Sequence, residues 1–248
     1  MALTTATRDQ IRGYLVAQMA RYIQQTLAQS RQKPFHERLM PPLSNVPYSE
    51  RSFSTRLGIW FQNMAQIVAT QYNQHAETNY VVEGHIQPAA SAHIKTTLDS
   101  MDHGNPRRVP ERATDIAQVL GVQSSGGASA QVRSDLYVRR HDGQELYFEI
   151  KTPDPNKRQC LDMKSDILTI MALRHGFNAQ AYAACGYNPF GDGAPYTNGF
   201  VAQFLEIGED ILVGRPFWER IGEPSTYDEL LGIAAEVGHE VEPLLIGH

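Results

Sequence analysis

The chain has 248 residues, 42% of them hydrophobic, with a formal net charge of −5 and two cysteines. That length can bury a substantial core as one domain, and the negative balance argues against a non-specific coat for nucleic acid while leaving a cleft-binding enzyme open. No apolar run approaches membrane-spanning length and no secretory apolar segment opens the chain; Cys160 and Cys185 sit in apolar surroundings as free thiols, so a cytoplasmic protein with no membrane partner is expected.

Taken in chain order, Thr7 to about Ser30 reads as an amphipathic helix with Ile11, Leu15, Met19, Tyr22, Ile23 and Leu27 on one stripe. Pro34 and the stretch from Pro41 to Pro47 predict a loop. Ser52 is placed to cap a second helix carrying Phe53, Leu57, Trp60, Phe61, Met64, Ile67 and Val68 as a core stripe. Asn79 to Ile86 predicts a strand, and Ala90 to Met101 and Glu111 to Leu120 predict shorter helices. Ser124-Ser125-Gly126-Gly127 is a loop without the Lys-Ser/Thr of a nucleotide-binding turn. Beyond residue 151, a helix is predicted from about Leu161 to Arg174, a buried strand over Asn178–Cys185, a loop over Tyr187–Asn198 and a strand over Ile211–Val213. A short helix over Phe217–Ile221 follows, and then a helix capped by Thr226 with Glu229 that runs through Val237. Alternating strands and helices predict an α/β fold, a mixed central β-sheet flanked by helices. In domain terms this is one unit, with a helical N-terminal region (about 1–75) packed on an α/β core (about 76–248).

Between these elements lies a hairpin, Gln131–Arg139 and Glu145–Lys151. Its period-two pattern assigns Val132, Ser134, Leu136, Val138, Leu146, Phe148 and Ile150 to one face. Arg133, Asp135, Tyr137, Arg139, Glu145, Tyr147, Glu149 and Lys151 fall on the other. Matching the faces puts Asp135 opposite Glu149, Tyr137 opposite Tyr147 and Arg139 opposite Glu145. The result is an aromatic pair and an opposite-charge pair across the strands. His141-Asp142-Gly143 then forms a three-residue loop with Gly143 in the left-handed position. In this register two carboxylates sit side by side with Lys151 on the same face. Repelling carboxylates invite a dication; hard oxygen donors suit Mg²⁺, and a lysine beside it can hold a phosphate oxygen or help to deprotonate water.

Ser134-Asp135-Leu136, followed on the next strand by Phe148-Glu149-Ile150-Lys151, resembles the Asp…Glu-x-Lys signature of PD-(D/E)xK nucleases. The run from Lys151 through Thr152, Pro153, Asp154, Pro155, Asn156, Lys157 and Arg158 to Gln159 is similar to that of type II restriction endonucleases, particularly the TdeIII type. The segments Lys33–Glu37, Ser52–Gly58 and Gly208–Gly214 followed by Phe217-Trp218 share the likeness. The resemblance implies a restriction-endonuclease-like core and Mg²⁺-dependent double-strand cleavage of DNA at a short G·C-rich palindrome of the GGNCC kind. It also implies a homodimer matched to a two-fold site. Asp135 and Glu149, with the Ile150 carbonyl, would hold the metal, and Lys151 would act on water and phosphate. Arg133, Asn156, Lys157, Arg158 and Gln159 are the candidate DNA contacts.

The helix after Gly58 offers Gln62 and Gln66 where such enzymes often carry a glutamate, so no third acid is evident; Glu37 and Glu83 are possible extra acids, each read first as a surface or structural residue. Arg107 and Arg108 read as a solvated loop, and the nine histidines show no zinc spacing. A repair or junction-resolving nuclease with the same core, and a non-catalytic DNA-binding module retaining the fold, are the alternatives. The intact acid and lysine set argues against the last.

Overall fold

The computed structural model describes residues 3–28 and 50–246. Its elements are α1 (Thr5–Ala28), α2 (Glu50–Tyr72), β1 (His75–Ile86), α3 (Pro88–His103), α4 (Arg112–Gly121), β2 (Ala128–Arg139) and β3 (Glu145–Lys151). They continue with α5 (Lys157–Leu173), β4 (Ala179–Cys185), α6 (Gly199–Phe204), β5 (Ile211–Val213), α7 (Arg215–Ile221) and α8 (Thr226–Ile246). The Pro41–Pro47 loop, Glu37 and the Lys33–Glu37 segment fall outside the described residues. Among those described, no helix is long and apolar enough to cross a membrane.

The five strands form one mixed sheet in chain order. β1, β2 and β3 are antiparallel, and β3, β4 and β5 are parallel. The switch follows from the connections. A three-residue loop can only reverse the chain between β2 and β3, whereas α5 carries it back so that β4 starts at the same end as β3. The hairpin loop has the expected form, with Gly143 at φ 84° and the Arg140 amide bonded to the Gln144 carbonyl at 2.8 Å.

Both faces of the sheet are covered. On one, α1, α2, α7 and α8 pack against Leu136, Val138, Leu146, Phe148, Ile150, Tyr182 and Leu212. On the other, α3 to α6 pack against Val82, Tyr137, Tyr147, Ala181 and Ala183. The hairpin's second face is therefore not a solvated one. Tyr137 and Tyr147 are buried, their ring centroids 5.1 Å apart, and Tyr80 stacks on Tyr137 at 4.3 Å. Glu145 is buried too, because Arg174 reaches it with two N–H donors at 2.9 and 2.6 Å and the Tyr147 hydroxyl donates to it at 2.8 Å. Arg139, its expected partner, stands farther away at 3.7 Å.

A buried ion cluster holds the second layer together. The fully buried Lys164 ammonium on α5 meets Asp115 of α4 at 2.7 Å and Asp210, just before β5, at 2.6 Å. Arg108 pairs with Asp115, and Arg112 meets Asp210 at 3.2 Å, so every charge in the cluster is opposed. Arg108 is thus part of the interior scaffold rather than a solvated loop. The expected Thr226–Glu229 capping box does not form. Glu229 accepts instead from the Leu3 amide at 2.9 Å, tying the start of the chain to α8, and Thr226 Oγ1 accepts from the Glu223 amide at 3.0 Å.

Candidate active site

The β2–β3 register is the one the alternating pattern predicts, with Tyr137 opposite Tyr147 and Arg139 opposite Glu145. The ladder ends at Leu136–Phe148, one pair short of Asp135–Glu149. Past that point side chains replace main-chain pairing. The Ser134 hydroxyl accepts from the Phe148 amide at 3.1 Å, and Asp135 Oδ2 accepts from the Ile150 amide at 2.7 Å. Asp135 is thereby anchored to the strand that carries Glu149 and Lys151. The Lys151 ammonium donates to Glu149 Oε1 and lies 3.8 Å from Asp135 Oδ2. The three side chains converge at the C-terminal end of β3, where they are only 15%, 18% and 27% exposed for Asp135, Glu149 and Lys151.

Poor solvation and crowding of negative charge set the electrostatics. Burial, reinforced by the Asp135 carboxylate, pushes Glu149 up to about 7. Burial alone would lower Lys151, but the Glu149 and Asp135 carboxylates outweigh it and hold its affinity for protons above the ordinary lysine value. At neutral pH Lys151 is therefore an ammonium. A further acid lies within electrostatic reach. Asp166, one face of α5, is pushed up to about 6, chiefly by burial, then by Asp162, with Asp135 adding to the effect and Lys151 opposing it. No motif in the sequence marks Asp166; only the return of α5 across the sheet brings it near.

The donor set suits a small hard cation. Two carboxylates and the Ile150 carbonyl are all oxygen; among the described residues no group of three or more His, Cys, Asp or Glu is placed to hold a metal ion, so an ion here would need the carbonyl, water and substrate to complete its shell. An ion held here would keep coordination positions for water and a phosphate oxygen, as Mg²⁺ sites commonly do.

Comparison with known proteins decides the family. The type II restriction endonuclease family of the HinfI type matches residues 3–238. The chain belongs to this family. Among its relatives are the type II restriction enzymes HgiCII and HgiBI of Herpetosiphon aurantiacus, 34% and 33% identical. Each alignment covers 96% of this chain, with 96% of HgiCII and 95% of HgiBI. No solved structure matches. The superfamily reading stands; the matched family is the HinfI type, where the sequence resemblance had pointed to TdeIII.

As a type II restriction endonuclease the protein is a site-specific deoxyribonuclease acting on DNA, and enzymes of this class generally use a divalent metal. The remaining candidates of this endonuclease are placed as follows. Asn156 and Gln159 cap α5 reciprocally: Asn156 Oδ1 accepts from the Gln159 amide at 3.1 Å, and Gln159 Oε1 accepts from the Asn156 amide at 2.9 Å. Lys157 pairs with Asp102 of α3 at 2.5 Å. Arg158 is largely exposed and grips Asp162 one turn along at 2.9 Å. Arg133 is exposed on β2, and Glu83 is exposed on β1 opposite Gln131. Gln66 spends its amide on the Ala76 carbonyl at 3.3 Å. The segment just after Lys151 is pinned on both sides, by the Tyr196 hydroxyl on the Pro153 carbonyl at 2.7 Å and by Asn198 on Asp154 at 2.7 Å.

Proposed function

We propose that this endonuclease hydrolyses phosphodiester bonds of duplex DNA with Mg²⁺ held by Asp135, Glu149 and the Ile150 carbonyl. The observation that carries this reading is the convergence of Asp135, Glu149 and Lys151 at the end of β3. When bound, the ion would polarise a phosphate oxygen and lower the pKa of a coordinated water. Asp135 is oriented for this by the Ile150 amide. Glu149, disfavoured as an anion beside Asp135, gains from a cation between the two. Lys151 enters as an ammonium, so its part is to hold the scissile phosphate and to offset the negative charge that builds as the attacking oxygen bonds to phosphorus. Arg133 and Arg158, exposed, are the DNA contacts best supported; Lys157 would join them by exchanging Asp102 for phosphate. Asn156 and Gln159 contribute by setting the start of α5. The target is proposed to be a short G·C-rich palindrome of the GGNCC kind, and a two-fold target suits a homodimer with one site per strand.

Digestion of a sequenced plasmid with Mg²⁺ and sequencing of the fragment ends tests the reading. Lys151→Ala should lower cleavage by orders of magnitude, because the charge is needed mainly as the phosphate reacts. Its specific binding to duplex in Ca²⁺ should stay within about tenfold of wild type, since one contact among many is lost. Cutting at the wild-type rate by this variant would remove Lys151 from the mechanism.

A further inference from the structure

Regular strands keep alternate residues on one face, and β1 and β2 both break that rule at the same level. On β1, Ala76 belongs to the core layer beneath Leu136, whereas Tyr80, Val82 and Ile86, of the same parity, belong to the opposite layer. On β2, Leu136 and Val138 face the first layer, whereas Ala130 and Val132 pack against the second. Yet the register never slips. Thr78 pairs with Leu136 and Tyr80 with Ser134, so neither strand carries an extra residue. The two strands turn over together in the interval between these pairs, where Asn79 stands opposite Asp135 without forming a pair.

Asn79 has φ 57°, inside a strand, in the left-handed region that a strand residue does not normally visit. The positive φ thus lies at the level where the alternation of both strands changes sides. At this same level the hydrogen bonds of Asp135 depart from the ladder pattern. Asp135 is outside both ladders, and Ser134 and Asp135, neighbours in sequence, both accept from amides of β3.

We propose that Asn79 is a positioning residue of the nuclease site: its left-handed backbone turns β1 and β2 over and so frees Asp135 to point at the Ile150 amide beside Glu149 and Lys151. This rests on the reading of Asp135 as a catalytic acid. Asparagine suits the post because, with glycine, it tolerates the left-handed region better than residues with larger or branched side chains. The side chain itself is exposed, and the role belongs to the backbone.

The test is a series of Asn79→Gly, Asn79→Ala and Asn79→Val, with Asp135→Asn alongside. Duplex cleavage is followed against Mg²⁺ concentration, with thermal midpoint and metal-free duplex binding measured on the same preparations. Asn79→Gly should cleave with the wild-type metal requirement. Asn79→Ala should need roughly tenfold more Mg²⁺ for half-maximal rate, the size expected from disfavouring the left-handed conformer, and Asn79→Val more still. Metal-free duplex binding should not change across the series. If Asn79→Val does not fold, Asn79→Ala against Asn79→Gly decides. A metal requirement unchanged in Asn79→Ala, or raised as much in Asn79→Gly, overturns the proposal, as does a loss of thermal midpoint with no shift in metal requirement. Asp135→Asn separates the two levels. Cleavage at the wild-type rate by that variant overturns the site reading and the inference with it. An inactive Asp135→Asn beside an unaffected Asn79→Val overturns the inference alone.

Discussion

Glu149 is the residue whose environment has the clearest measurable consequence. Its carboxyl moves from an ordinary 4.5 to about 7, first through burial and then through Asp135. An unfolded chain releases this proton near the lower value, and the folded protein keeps it to the higher one. Between the two the folded state binds more protons, so the metal-free protein should lose stability as pH rises from about 4.5 through about 7. Asp166, pushed up to about 6, adds a smaller loss of the same sign. Urea midpoints in chelator at pH 5 and pH 8 measure this. Wild type should lose more stability between these values than Glu149→Gln, which has no proton to release. A wild type and a Glu149→Gln that change in parallel would mean that Glu149 titrates alike folded and unfolded. The same proton competes with a divalent ion, so metal affinity should weaken as pH falls below about 7.

At the scale of elements, the helix that follows β3 is held by charge as well as by apolar packing. Lys164 ties α5 to α4 and to the approach to β5. Lys164→Met would keep the volume and leave Asp115 and Asp210 buried with one cation fewer. Breaking a buried pair from one side commonly costs about 3–5 kcal/mol, so the urea midpoint should drop sharply. Little change would mean that Arg108 and Arg112 alone neutralise the two acids. None of this cluster is legible in sequence, because its members come from separate elements and share no spacing. The hairpin register is legible because Tyr137, Tyr147, Arg139 and Glu145 each have a facing partner and Gly143 has the loop position that needs it. The same alternation fails at Val132, which packs on the opposite side from Leu136. Period two extrapolates through this level as if β1 stayed extended, and at Asn79, with φ 57°, it does not. The burial of Tyr137, Tyr147 and Glu145 is likewise hidden, since a polar face is read as solvated until Arg174, far along the chain, is seen to satisfy it.

At the scale of the whole molecule, helices close both faces of the sheet, so the acids and lysine are offered at a strand end rather than across a surface. On the proposed reading, one such end would serve one strand of a duplex. In a homodimer on a symmetric target, each subunit should therefore sever its own strand. A mixed dimer of wild type and Asp135→Asn should convert supercoiled plasmid to open circles and stop there. Linear product at the wild-type rate would show either that one subunit cuts both strands or that Asp135 holds no metal.

The two free thiols lie on the crossover helix α5 and at the end of β4, the strand beside β3. Cys185, opposite Lys151 in the β3–β4 ladder, donates to the Thr152 carbonyl at 3.6 Å, and Cys160 is buried in α5. Burial pushes both up to about 12, so in the closed fold neither is a thiolate at neutral pH. Alkylation must wait for this region to open, which makes the cysteines a built-in clock for local breathing beside the active site. If a divalent ion closes the acidic pair at the end of β3, adding it should slow that clock, with no DNA and no cleavage involved.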